Sequence, residues 1–76
     1  MMRKGIVIGA GRDAIHTIKK AREQGIYVVA LDGNPEAEGL KYADEGIVVD
    51  ISDSERVREK VKKIQPDFTI PIPIGR

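Results

Sequence analysis

Seventy-six residues make one domain, and a chain this short buries only about 60% of its unfolded surface, so its stability margin is narrow. Thirteen basic residues against twelve acidic ones leave a net charge of +1, and there are only two tyrosines and one phenylalanine; both facts argue against a nucleic-acid binder. Cysteine is absent, which removes disulfides and thiolate metal sites, and no apolar run approaches the roughly 20 residues of a membrane span.

Met1-Met2-Arg3-Lys4 runs straight into a strand pattern, with no signal-peptide apolar region, so the expected location is the cytoplasm. Residues 4–8 read as a buried strand, apolar and β-branched apart from Lys4 and Gly5. Gly9-Ala10-Gly11 follows at once. From Asp13 to Gln24 the apolar positions are Ala14, Ile15, Ile18 and Ala21, which is helical spacing, and Gly25 stands where a glycine ends such a helix. Ile26–Leu31 is a continuous apolar run, the mark of a strand covered on both faces.

Asp32-Gly33-Asn34-Pro35 breaks the pattern, and a short helix is expected over Pro35–Tyr42 with the proline near its start. Ala43–Gly46 is a loop into a third strand, Ile47–Val49. Ser52-Asp53-Ser54-Glu55 reads as a capping box, with Ser52 capping the amide of Glu55 and Glu55 reaching back. Val57, Val61 and Ile64 then recur at helical spacing, with basic residues from Arg56 to Lys63 on the wet side, until Pro66 stops the helix. Phe68–Ile70 is the fourth strand, and Pro71 and Pro73 limit further pairing.

Strands alternating with helices in this way predict an α/β fold: a Rossmann-like parallel sheet of about four strands, right-handed crossovers and helices on both faces. The chain stops at Gly75-Arg76, directly after a strand. Residues 1–76 are therefore expected to be one domain, incomplete at its carboxyl end, in a longer protein.

Ligands of such sheets sit beyond the carboxyl ends of the strands, where the strand order reverses. Gly9–Arg12, Asp32–Asn34, Asp50–Ser52 and Pro71–Arg76 lie at those ends. Glycines let the chain turn sharply and let a ligand approach bare backbone, and the first amides of a helix have no intrahelical acceptor. An anionic or strongly polar group is therefore expected against Gly9–Asp13. Arg12 offers a guanidinium for a phosphate or carboxylate, or is a solvated surface arginine. Asp32 either bonds a ligand hydroxyl or accepts amides of its own turn. Gly9-Ala10-Gly11-Arg12-Asp13-Ala14 with Asp32 about 20 residues on also fits a dinucleotide signature, so an NAD(H)-binding domain of a dehydrogenase or regulatory protein is the alternative reading. His16 reads as a surface residue, and no nucleophile–base pair, metal cluster or phosphate-cradling G-x-x-x-x-G-K-[ST] run is present.

The chain resembles the N-terminal (pre-ATP-grasp) domain of the ATP-grasp ligase superfamily, which includes carbamoyl-phosphate synthetase large chain, biotin carboxylase and L-amino acid ligases. The similar pieces are Ile6–Arg12, Val28–Ala37, Tyr42–Asp53 and Pro66–Pro73. Their shared marks are an Asp-x-Asn-Pro after the second strand, an Ala-Asp before the third and a Pro-Asp before the fourth. The resemblance implies a parent ligase that activates a carboxylate as an acyl phosphate and passes it to an amine. It places ATP and Mg²⁺ in later domains, none on this segment, and makes Gly9, Ala10, Gly11 and Arg12 a substrate loop, with Pro73–Arg76, including Gly75 and Arg76, the start of a neighbouring one. Partners implied are a small carboxylate or amine and the downstream ATP-grasp domains, with room for a homodimer and none for nucleic acid or membrane. Two departures stand out: Ile74-Gly75-Arg76 replaces a glutamate common after the fourth strand, and Gly9-Ala10-Gly11 replaces three glycines.

Overall fold

A computed structural model describes residues 2–72. Their elements run β1 (Lys4–Ile8), α1 (Arg12–Glu23), β2 (Tyr27–Asp32), α2 (Gly39–Tyr42), β3 (Glu45–Val48), α3 (Ser54–Ile64) and β4 (Phe68–Thr69). The strands form one sheet in the order β3-β2-β1-β4, and each neighbouring pair is parallel. The central pair is in register from Lys4 opposite Tyr27 to Ile8 opposite Leu31. This is the expected α/β architecture.

The two faces of the sheet carry separate cores because successive strand residues point to opposite sides. Val7, Val28 and Ala30 join Ala14, Ile18 and Ala21 of α1, Ala37 before α2, and Ile70. Ile6, Val29 and Leu31 join Val49, and Val57, Val61 and Ile64 of α3 pack against them. The face under α3 is the thinner one: none of the three residues of its apolar stripe is fully buried. Helices on opposite faces follow from right-handed crossovers, since the chain steps from β1 to β3 in one direction and crosses back to β4 in the other.

Several boundaries shift from the sequence expectation. α1 ends as anticipated, with Gly25 at φ +83° just past the cap. α2 begins at Gly39 instead of Pro35, because an Asn34 turn intervenes: Asn34 Oδ1 accepts the Glu36 amide at 3.0 Å and Asn34 O accepts the Ala37 amide at 3.0 Å. Such side-chain turns compete with helix for the same amides. The Ser52–Glu55 capping box does not form. Asp53 caps α3, its Oδ1 accepting the Arg56 amide at 3.2 Å, while Ser52 turns back to Asp50. β2 and β3 are each displaced by one or two residues, and β4 stops at Thr69, although the Ile70 amide still donates to Ile6 O at 2.8 Å.

Asp32, Asp44 and Asp67 share one job. Asp67 Oδ2 accepts the Lys4 amide at 2.7 Å, and the Asp67 amide donates to Lys4 O at 2.7 Å. Asp44 Oδ2 accepts the Val28 amide at 2.8 Å, and its own amide donates to Val28 O at 2.9 Å. Asp32 Oδ2 accepts the Ala10 amide at 2.7 Å. The first two seal the amino end of the sheet and the third its carboxyl end. Each satisfies an amide that the neighbouring strand or loop leaves unpaired.

Candidate functional site

With β2 on one side of β1 and β4 on the other, the strand order reverses at β1, and the loop leaving β1 faces that switch point. Gly9 turns the chain at φ +93°, a conformation that side chains disfavour, and donates its amide to Leu31 O at 2.7 Å. Ala10 is fully buried; its amide goes to Asp32 and its carbonyl accepts the Gly39 amide at 2.7 Å. Gly11 caps α1 through its carbonyl, which accepts the Ala14 amide at 3.0 Å. Its φ of −71° is ordinary, so the conformational demand for glycine in this loop lies at Gly9 and not at Gly11. Gly11 instead leaves open space: a Cβ there would meet nothing within 4 Å.

Among the described residues, none accepts a hydrogen bond from the amides of Gly11, Arg12 or Asp13, and all three residues are exposed. Those amides stand at the positive end of the α1 dipole. Arg12 sits beside them, its side chain 84% exposed and its guanidinium 3.7 Å from Glu38. At that exposure the pair contributes little, which leaves the guanidinium available to an oxyanion.

Asp32 has both carboxylate oxygens engaged: Oδ2 with the Ala10 amide and Oδ1 with the Asn34 amide at 2.8 Å. It stands beside the loop and directs its acceptors into the chain's own backbone. Ile51, after β3, brings its Cδ1 within 3.9 Å of where a Cβ on Gly9 would lie, and Ile51 and Ile8 are each about 40% exposed, so the crevice has an apolar margin on the α3 side. Asp50 Oδ1 in the same loop accepts the Ser52 hydroxyl at 2.6 Å and the Ser52 amide at 3.0 Å, and these bonds hold its carboxyl below the usual range. Gly75 and Arg76 lie outside the described residues.

Gly9, Ala10, Gly11, Arg12 and Asp32 are thus brought together, with a division of labour the sequence does not reveal. Ala10 and Asp32 brace the loop from within, whereas Gly11 and Arg12 face outward. His16 lines a separate apolar hollow of about 280 Å³ with Phe68, Ile70 and Pro71. A larger cleft of about 510 Å³, with Lys19, Arg22 and Tyr42 in its wall, lies toward the amino end of the sheet. Neither hollow includes the glycine loop.

Gly39 is the participant that sequence reasoning missed. A Cβ on it would fall 2.5 Å from Ala10 O and 2.9 Å from Ala10 C, so only glycine permits this contact. The available signal was a glycine inside the helix expected over Pro35–Tyr42, a place where it lowers helix propensity and therefore suggests a close approach. The chemistry on offer is recognition: amide donors and one guanidinium for an anion. Among the described residues no group of three or more His, Cys, Asp or Glu side chains is placed to hold a metal ion, and no helix is long and apolar enough to cross a membrane.

No family model matches the chain. Curated relatives do. The chain is 32% identical over 69 residues to formate-dependent phosphoribosylglycinamide formyltransferase of Prochlorococcus marinus subsp. pastoris, covering 91% of this chain and 18% of that protein. Among solved structures it is similar to glycinamide-RNase-transformylase T from Mycobacterium tuberculosis, with a TM-score of 0.85 and 27% identity over 88% of this chain and 19% of that one. It is also similar to N5-carboxyaminoimidazole ribonucleotide synthetase from Thermotoga maritima, with a TM-score of 0.79 and 37% identity over 90% of this chain and 18% of that one. The chain spans about 18% of the length of the curated relatives it matches.

Proposed function

On the premise that this chain is of the pre-ATP-grasp type, the N-terminal domain of ATP-grasp ligases, we propose that it is the substrate-side domain of an ATP-dependent carboxylate–amine or related ligase. In this reading Gly11 and Arg12 receive an anionic group of the acceptor substrate, and the parent proceeds through an acyl phosphate. The observation that carries it is the exposed row of unpaired amides at Gly11, Arg12 and Asp13, beside the Arg12 guanidinium and open above Gly11. The matched relatives act, by their names, on phosphoribosyl and ribonucleotide compounds, and a phosphate fits such a corner.

ATP and Mg²⁺ are assigned to downstream domains. The chain has no G-x-x-x-x-G-K-[ST] run, and its described residues do not assemble a metal-ligand group, so no phosphoryl step is given to it. What its own residues supply is placement: an anion fixed at the loop holds the acceptor's nucleophile at one distance from an acyl phosphate formed next door, which lowers the entropic barrier.

Titration of the ¹⁵N-labelled chain with ribose 5-phosphate tests this. The expected result is a saturable shift of the Gly11, Arg12 and Asp13 amides that Arg12→Ala weakens and Lys60→Ala does not. No shift at those amides up to tens of millimolar ligand refutes the loop assignment. Titration with NADH, followed by fluorescence, checks the dinucleotide alternative, which needs a carboxylate at Asp32 that is here committed to Ala10 and Asn34; micromolar binding would favour that alternative.

A further inference from the structure

The loop after β1 is held at a single residue, through the two peptides on either side of its Cα. Ala10 donates its amide to Asp32 Oδ2 at 2.7 Å and accepts the Gly39 amide on its carbonyl at 2.7 Å, and its methyl is fully buried. The two partners come from opposite ends of one connection: Asp32 closes β2, and Gly39 opens α2. The connection is itself stiffened, since Asp32 Oδ1 accepts the Asn34 amide at 2.8 Å and Asn34 Oδ1 the Glu36 amide at 3.0 Å. Glu38, next to Gly39, reaches the Arg12 guanidinium at 3.7 Å. One segment, residues 32–39, therefore grips the loop at Ala10 from both sides.

We infer that Asp32 and Gly39 are positioning residues for the substrate loop: Asp32 fixes the Gly9–Ala10 peptide and Gly39 the Ala10–Gly11 peptide, which carries the Gly11 amide, and through them they set the direction of the Gly11, Arg12 and Asp13 amides. This rests on the reading of that loop as the anion-binding element. With one peptide held by its N–H and the next by its C=O, neither can rotate without breaking a hydrogen bond, the first of them to a charged carboxylate. The Gly9 turn immediately before Ala10, at φ +93°, is a backbone state that needs such outside support. The proximity of Gly39 leaves no alternative packing, because any side chain at that position strikes the Ala10 carbonyl. Asp32 thus acts through Ala10 and makes no contact with the ligand.

The test uses the ¹⁵N-labelled chain and three variants, Asp32→Asn, Asp32→Ala and Gly39→Ala, each at a temperature where it is at least 95% folded. Two readouts are taken. Amide hydrogen exchange at Ala10 is expected to rise at least tenfold in Asp32→Ala and Gly39→Ala, with strand amides such as Val29 and Leu31 unchanged. Asp32→Asn keeps one acceptor oxygen, enough for Ala10 but not also for Asn34, and is expected to restore part of the protection. Affinity for inorganic phosphate, followed at the Gly11–Asp13 amides, is expected to fall at least fivefold in the same two variants and to recover in part in Asp32→Asn. Unchanged exchange at Ala10, or a rise spread equally over the sheet, overturns the inference. So does phosphate affinity that survives a loosened Ala10. If the wild-type chain shows no phosphate shift at all, the anion-loop reading is what fails, while the exchange data still judge whether Asp32 and Gly39 hold the loop.

Discussion

Replacing Asp44 by alanine should unfold this domain far more readily than any change on its surface. Asp44 Oδ2 accepts the amide of Val28, a residue with no exposed surface, so that amide has no easy route to water once the carboxylate is gone. A hydrogen bond to a charged acceptor contributes about 1.5–3 kcal/mol, and a buried donor left unpaired costs a similar amount. Asp44 Oδ1 also meets Arg22 at 3.1 Å, with side-chain exposures of 18% and 48%. Screening at the half-exposed arginine holds that pair to roughly 0.5 kcal/mol. The total is about 2–4 kcal/mol, a large share of the roughly 4–11 kcal/mol that a domain of this size commands. At about 4–8 °C per kcal/mol, the midpoint of thermal unfolding should fall by roughly 8–32 °C. Circular dichroism melts of the wild type, Asp44→Ala, Asp44→Asn and Glu23→Ala measure it. Asp44→Asn keeps an acceptor oxygen for Val28 and should lose less than half as much, and Glu23→Ala should stay within about 0.5 kcal/mol of wild type. A midpoint for Asp44→Ala within about 3 °C of wild type, well under the smallest shift expected, refutes the claim that this aspartate holds the edge of β2.

Leu31→Ala, at a position with no exposed surface, should cost about 2–5 kcal/mol, whereas Val61→Ala on the half-covered stripe of α3 should cost about 1 kcal/mol; urea unfolding of both compares the two faces directly. Asp53→Ala should destabilise α3 by about 1 kcal/mol, while Ser52→Ala should leave the cap intact and raise the Asp50 pKa toward its ordinary value, seen by carboxyl NMR titration. Glu45 holds the Tyr27 hydroxyl proton through a 3.0 Å hydrogen bond and raises its pKa above 10.0. That stabilising contribution is complete below the unfolded pKa of 10.0 and fades as pH rises through the folded one, so Tyr27→Phe should flatten the alkaline limb of stability against pH. Absorbance titration should show the tyrosine ionisation above 10.0 disappear with Tyr27→Phe.

Most of the architecture is legible in the chain because it rests on short-range and periodic information. Continuous apolar runs at β1 and β2 can only be satisfied by cover on both faces, and that cover demands a parallel sheet between helices. Gly25 and Pro66 end α1 and α3 by backbone conformation and by loss of a donor, whatever surrounds them. Gly9-Ala10-Gly11 marks the loop at the switch point for the same local reason. The order of strands does not follow in the same way, since right-handed crossovers permit more than one doubly wound order, and β3-β2-β1-β4 is settled by the folded sheet.

What the linear order leaves open is which of several competent groups takes a given amide. Ser52 and Asp53 both cap helices well; Asp53 does so here because Asp50 has already engaged the Ser52 hydroxyl and amide. Asp32 suits a ribose hydroxyl or a backbone amide equally, and the Ala10 peptide 22 residues upstream takes it. Gly39 gains its meaning only from the Ala10 carbonyl 2.5 Å from where its side chain would begin. Hydrogen-bond choice depends on angstrom-scale distances between residues far apart in sequence, and those distances exist only after the sheet has closed. Periodicity and local conformation therefore set the scaffold, and tertiary packing alone decides which polar atoms remain free to meet a ligand.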